Sequence, residues 1–249
     1  MGIGMRPLVA GNWKMHGLSS SLKELEALKT ALVSEPALAE VLICPPFTLL
    51  AQAHWSVKGA FALGGQDCHA AAAGAHTGDI AAEMLKDAGA SHVIVGHSER
   101  RHNHGERDAD VAAKAQAAWR AGLTAIICIG ETESQRFAGN AHQICGSQID
   151  GSVPAQAHAA NTVIAYEPVW AIGTGKTATA DDIVQMHAHI RQCLVRRLGD
   201  GARQMRILYG GSVKPDNAAE ILNLAEVDGA LVGGASIKSD DFLRIIRAV

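Results

Sequence analysis

What the chain lacks narrows its function before any motif is read. No apolar run approaches the ~20 residues of a membrane-crossing helix, and charged and polar residues follow the N-terminus almost at once. The five cysteines (Cys44, Cys68, Cys128, Cys145 and Cys193) are odd in number, scattered and without a C-x-x-C pair. That argues against a disulfide framework and for free thiols in a reducing compartment, so a soluble, cytoplasmic protein is expected. Lysine and arginine number 22 against 25 acidic residues, a formal charge of −3. With no broad basic surface, nucleic acid and anionic lipid are not expected partners, and an anionic ligand would have to be held by local groups. Linkers are missing too: no charge block, composition shift or low-complexity stretch divides the 249 residues. Residues 1–249 are therefore expected to form a single domain.

What is there is an alternation of short buried strands with amphipathic helices. Apolar, β-branched-rich runs mark strands at Leu8 to Ala10, Val41 to Cys44, Ala62 to Gln66, His92 to Val95, Ala125 to Ile129, Thr162 to Tyr166, Arg206 to Tyr209 and Ala230 to Val232. Helical patterns lie between them, among them Ser20 to Val33 with leucines at 22, 25, 28 and 32, alanine-rich Ala112 to Ala121 ending at Gly122, and Asp181 to Leu198. A strand–helix unit repeating about every 30 residues predicts an α/β fold, one closed (β/α)8 barrel. A doubly wound open sheet is the alternative.

In a closed barrel of this kind the chemistry sits just past the strand ends. Those positions are polar or glycine-rich here: Gly11-Asn12-Trp13-Lys14, Gln66-Asp67, Gly96-His97-Ser98-Glu99-Arg100, Glu167, Gly210-Gly211-Ser212 and Gly233-Gly234-Ala235-Ser236. The last two are turns of the kind that aim backbone N–H groups at an anion, which points to a phosphate. The run Tyr166 to Thr179 joins a buried strand, a lone carboxylate, a strand-ending Pro168 and an apolar stretch, Val169 to Ile172, before the hinge glycines Gly173 and Gly175. It reads as a catalytic base with its own lid. Gly175-Lys176-Thr177 is not a nucleotide P-loop, because Trp170 stands where that loop needs glycine. The G-x-G-x-x-A spacing of Gly173 to Ala178 starts too far past its strand for a dinucleotide site. Among the 12 histidines, the pairs His102/His104 and His187/His189 invite a metal reading. Residues two apart on a helix do not face each other, so solvated side chains and no metal are expected.

Five segments in register carry a resemblance to the triosephosphate isomerase family: Gly11-Asn12-Trp13-Lys14-Met15, Gly96 to Arg100, Ala165 to Gly175, Tyr209 to Val213 and Leu231 to Ser236. The resemblance implies interconversion of dihydroxyacetone phosphate and glyceraldehyde 3-phosphate, in glycolysis and gluconeogenesis, with no metal or organic cofactor. Moving a carbonyl between adjacent carbons requires a positioned base and a group that stabilises an enediolate oxygen. By the resemblance Glu167 is the base, and His97 is the electrophile, kept neutral by a short helical turn starting at Ser98. Lys14 steadies oxyanion and phosphate, Asn12 donates to substrate oxygens, and Glu99 sits beside Lys14 and His97. The backbone N–H groups of Gly173, Ser212, Gly233 and Gly234 would hold the phosphate.

The resemblance also implies a homodimer, in which the Gly74 to Gly78 loop enters a second copy beside Asn12, Lys14 and Met15 and Thr77 helps order the partner's site. His76 stands where the family more often has an aromatic residue, and His16 where asparagine is usual. An ordinary imidazole titrates near about pH 6.5, so pairing is expected to weaken in mild acid.

Overall fold

The computed structural model describes residues 5–172 and 176–249. Strands β1 (Leu8–Asn12), β2 (Glu40–Cys44), β3 (Ala62–Gly65), β4 (His92–Val95), β5 (Thr124–Ile129), β6 (Thr162–Tyr166), β7 (Ile207–Tyr209) and β8 (Gly229–Val232) follow one another around a closed parallel barrel. Leu8 pairs with Glu40 on one side and with Gly229 on the other, so the sheet has no open edge and the doubly wound alternative is excluded. The helices around it are α1 (Leu22–Ser34), α2 (Phe47–Val57), α3 (Ala82–Asp87), α4 (Ser98–His104), α5 (Asp108–Arg120), α6 (Glu133–Phe137), α7 (Ala141–Ser152), α8 (Ala180–Leu198), α9 (Ala218–Leu222) and α10 (Ser239–Ile246).

The strands read as continuous apolar runs because both of their faces are covered. Leu8, Ala10, Leu42, Cys44, Ile94, Ile126, Cys128, Val163, Ala165, Leu208 and Leu231 form one cluster, which fills the barrel. Their neighbours in sequence, such as Val9, Ile43, Val93, Ile127 and Ile164, belong to a second cluster with the helices. Carrying the two-residue period past the strand ends turns Asn12 inward after Leu8 and Ala10, and Glu167 inward after Val163 and Ala165. Strand alternation thus delivers both polar side chains to the barrel mouth.

Element ends differ modestly from the sequence reading. β3 stops at Gly65, leaving the Gln66 side chain to bond outside the ladder. Helix α5 begins four residues early, since its first turn carries no apolar periodicity and is held instead by Asp110 accepting from the Arg107 N–H at 2.9 Å. One expectation is overturned: His187 is not solvated but fully buried. It lies on the inner stripe of α8 with Ile183, Met186, Ile190 and Leu194, a three-and-four spacing that faces the barrel.

Among the described residues, no helix is long and apolar enough to cross a membrane.

Candidate active site

At the C-terminal mouth of the strands a cavity of about 310 Å³ is lined by Asn12, Lys14, His97, Glu167, Ser212, Gly233 and Gly234, together with His16, Ile172 and Lys214. Every expected site residue that is described reaches it or, in the case of Glu99, bonds to a residue that does. Gly173 lies outside the described residues.

Glu167 is 2% exposed and held on three sides. Its Oε2 accepts from the Ser98 N–H at 2.9 Å, and its Oε1 accepts from Ser98 Oγ at 3.1 Å and faces His97 Nε2 at 2.9 Å. Burial alone would push the carboxyl's pKa up, but His97 and the Ser98 donors outweigh it and hold the value below the ordinary range. Gly130 makes this placement possible: a Cβ there would lie 1.7 Å from the Glu167 carbonyl oxygen.

His97 caps α4, with Nδ1 accepting from the Glu99 N–H at 3.2 Å. Burial opposes charge on the ring, yet the Glu167 carboxylate beside it raises the pKa above the usual value. The proton state follows from the geometry: a nitrogen that accepts an amide N–H carries no proton, so the neutral ring bears its single proton on Nε2 and donates it to Glu167. The first turn of α4 thus sets the tautomer of the neutral ring.

Lys14 has a positive φ of 52°, rare for a side chain of its size. Two side chains fix it: Asn12 Oδ1 accepts from the Lys14 N–H at 2.9 Å, and Gln66 Nε2 donates to the Lys14 carbonyl at 2.9 Å. Its ammonium lies 2.6 Å from Glu99 Oε1, and Glu99 Oε2 lies 3.6 Å from His97 Nδ1. Glu99 therefore lies beside both Lys14 and His97. On the far wall Gly233 and Gly234 open a short helical turn, pinned by Ser236 Oγ donating to the Gly233 carbonyl at 2.7 Å.

The segment that follows Glu167 is anchored from beneath. Trp170 Nε1 donates to the fully buried Glu131 at 2.8 Å, Tyr166 donates its hydroxyl to the same carboxylate at 3.1 Å, and Arg136 lies 4.5 Å over the indole. Sequence reasoning missed Glu131, Ser98, Gln66 and Lys214 as site residues. Ser98 and Gln66 did stand at strand ends, whereas Glu131 follows Gly130 with no pattern to mark it. Lys214, exposed at the rim beside the glycine turns, has no hydrogen bond or ion pair through its ammonium among the described residues.

This assembly can pull a proton from carbon, donate to an oxygen and neutralise an anion within one cavity. The family model for triosephosphate isomerase matches residues 7–249. The triosephosphate isomerase of Chelativorans sp. (strain BNC1) is 63% identical over 247 residues, covering 98% of this chain and 97% of the relative. That of Afipia carboxidovorans is 60% identical over 245 residues, with 98% of each covered. The crystal structure of triosephosphate isomerase from Bartonella henselae superposes with a TM-score of 0.91 at 50% identity, covering 98% of each chain. With that match over nearly its whole length, this chain belongs to the triosephosphate isomerase family of isomerases.

Proposed function

We propose that this chain interconverts dihydroxyacetone phosphate and D-glyceraldehyde 3-phosphate through an enediolate, as a glycolytic and gluconeogenic enzyme without a cofactor. The observation that carries the reading is the convergence of Glu167, His97 and Lys14 on one cavity whose far wall is a glycine turn. The Gly233 and Gly234 amides and the Ser212 turn, with Gly173 from the lid, bind the phosphate and place the carbonyl carbons between Glu167 and His97. Glu167 removes the carbon-bound proton, His97 Nε2–H donates to the carbonyl oxygen, and Lys14 and Asn12 stabilise the charge that builds there. Glu167 then returns a proton to the neighbouring carbon.

The resting hydrogen bonds of Glu167 add a requirement. A carboxylate stabilised by Ser98 and His97 is a weak base, so it must leave those donors when substrate arrives. Burial, which raises its pKa, then acts without opposition and strengthens the base.

The reading extends to a single cytoplasmic domain that pairs with a second copy through the Gly74 to Gly78 loop. Supporting the pairing, Met15 is 95% exposed next to the site. The test is isomerisation of glyceraldehyde 3-phosphate by the purified protein in metal-free buffer, beside Glu167→Gln. The variant fills the same space without a base and should lose activity by at least about a thousandfold. Full activity in it would place the base elsewhere.

A further inference from the structure

We propose that the cleft between α7 and α8 is a binding site for a borderline divalent transition ion such as Zn²⁺, held by His189 and Cys193 from α8 and His142 from α7. Cys193 follows His189 by four residues, which puts the two side chains on one face of the helix. His189 Nε2 lies 3.4 Å from Cys193 Sγ. A tetrahedral ion with bonds of about 2.0 Å to nitrogen and about 2.3 Å to sulfur holds those atoms roughly 3.5 Å apart, so the pair already stands at the required spacing. Thiolate with imidazole is a donor set for such ions rather than for Ca²⁺ or Mg²⁺.

The packing of the two helices leaves space beside the pair. Gly146 lies within α7, where glycine costs helix stability, and a Cβ there would sit 3.6 Å from both Cys193 Sγ and His189 Nε2. Glycine keeps that position, in front of the two ligand atoms, clear. Cys193 is buried and His189 half-buried, so helix packing fixes both. His142 is exposed, and its ring stacks on His189 with centroids 4.5 Å apart and planes 23° off parallel; no hydrogen bond holds that ring among the described residues. A cavity of about 270 Å³ lined by His142, Arg136, Asp182 and Gln185 lies beside it. The ring has room there to swing a nitrogen toward the ion, and water can reach the fourth position.

Burial, helped by the charges of His142 and Arg196, holds the His189 ring below the usual imidazole pKa, which favours the neutral form that a metal takes. Two contacts oppose binding. His189 Nε2 donates to the His142 carbonyl at 2.9 Å, and ligation moves that proton to Nδ1 and breaks the bond. Arg196 Nη2 donates to Cys193 Sγ at 3.4 Å, and this exposed side chain must turn its charge away from the incoming cation. Each costs no more than roughly tenfold in affinity. Against them, the Cys193 thiol gives its proton to solvent and the thiolate sulfur bonds the ion directly. The sequence conceals the site because His189 is read against His187, which faces elsewhere, and because His142 lies 47 residues away on another helix.

The proposal does not rest on the isomerase reading, and α7 and α8 are not among the segments expected to meet a second copy. Tag-free, chelator-treated protein, kept reduced with a phosphine, is titrated with Zn²⁺ by calorimetry and with Co²⁺ by absorption. His142→Gln, His189→Gln, Cys193→Ala, Arg196→Gln and the surface variant His158→Gln are titrated alongside, each checked for fold by circular dichroism. One saturable site per chain is expected, with a thiolate-to-cobalt charge-transfer band that Cys193→Ala abolishes. Affinity should fall by at least about tenfold in each of the three ligand variants, rise in Arg196→Gln and stay unchanged in His158→Gln. Absence of a saturable site in the unmodified protein, or full affinity in any one of the ligand variants, would overturn the three-ligand site.

Discussion

Replacing His187 with glutamine should remove part of the protein's sensitivity to acid. The imidazole is fully buried between Tyr166 and Tyr209; Nδ1 donates to the Glu226 carbonyl at 2.9 Å, and Nε2 has no partner among the described residues. Burial is the main cause that lowers its pKa from 6.5 to about 4. The unfolded chain therefore binds a proton between those values that the folded chain refuses. Stability is full above pH 6.5 and is lost as pH falls toward 4. At 1.36 kcal/mol per unit the full loss is ~3 kcal/mol, of which ~2 kcal/mol is reached by pH 5. Glutamine keeps a donor for Glu226 but does not titrate. Urea unfolding at pH 7 and pH 5 should show the pH-dependent loss smaller by ~2 kcal/mol in His187→Gln. The remaining loss belongs partly to His92, which burial also lowers to about 4. Equal pH dependence in the two proteins would refute the argument that a dry, neutral His187 sets it.

Three further outcomes follow from the site. Ser98→Ala removes the hydroxyl that donates to Glu167, which raises the carboxyl's pKa. The acid limb of the kcat/KM profile should move up by as much as about one pH unit, and an unmoved limb would mean the hydroxyl does not hold the carboxylate. Gly130→Ala drives a Cβ into the Glu167 carbonyl and must displace Glu167, so on the proposed mechanism kcat should fall by about a hundredfold or more; near-normal turnover would refute the close approach. Lys214→Ala should lower kcat/KM several-fold at low ionic strength, with the difference shrinking at high salt. A salt-independent effect would point to direct contact rather than attraction at the rim.

Much of the barrel was legible because each strand is buried on both faces and each helix on one, leaving strong local patterns. The eight strands and the residues just past them could be read one by one, and so could the glycine turns after β7 and β8, which the structure places on the cavity. Glu131 could not: it is a carboxylate after a glycine, and only folding brings Tyr166, Trp170 and Arg136 to it. His187 was misread because two histidines in a polar helix look solvated until the inner stripe is known.

The sequence by itself determined the alternation of elements, the inward turn of Asn12 and Glu167 and the residue types at the barrel mouth, all of which follow from local periodicity. Tertiary structure alone decided the hold of Ser98 on Glu167, the strained Lys14 backbone and the pairing of Lys14 with Glu99. Each of these depends on a distance between atoms far apart in the chain or on one backbone angle. Barrel closure fixes such quantities, and no local pattern encodes them.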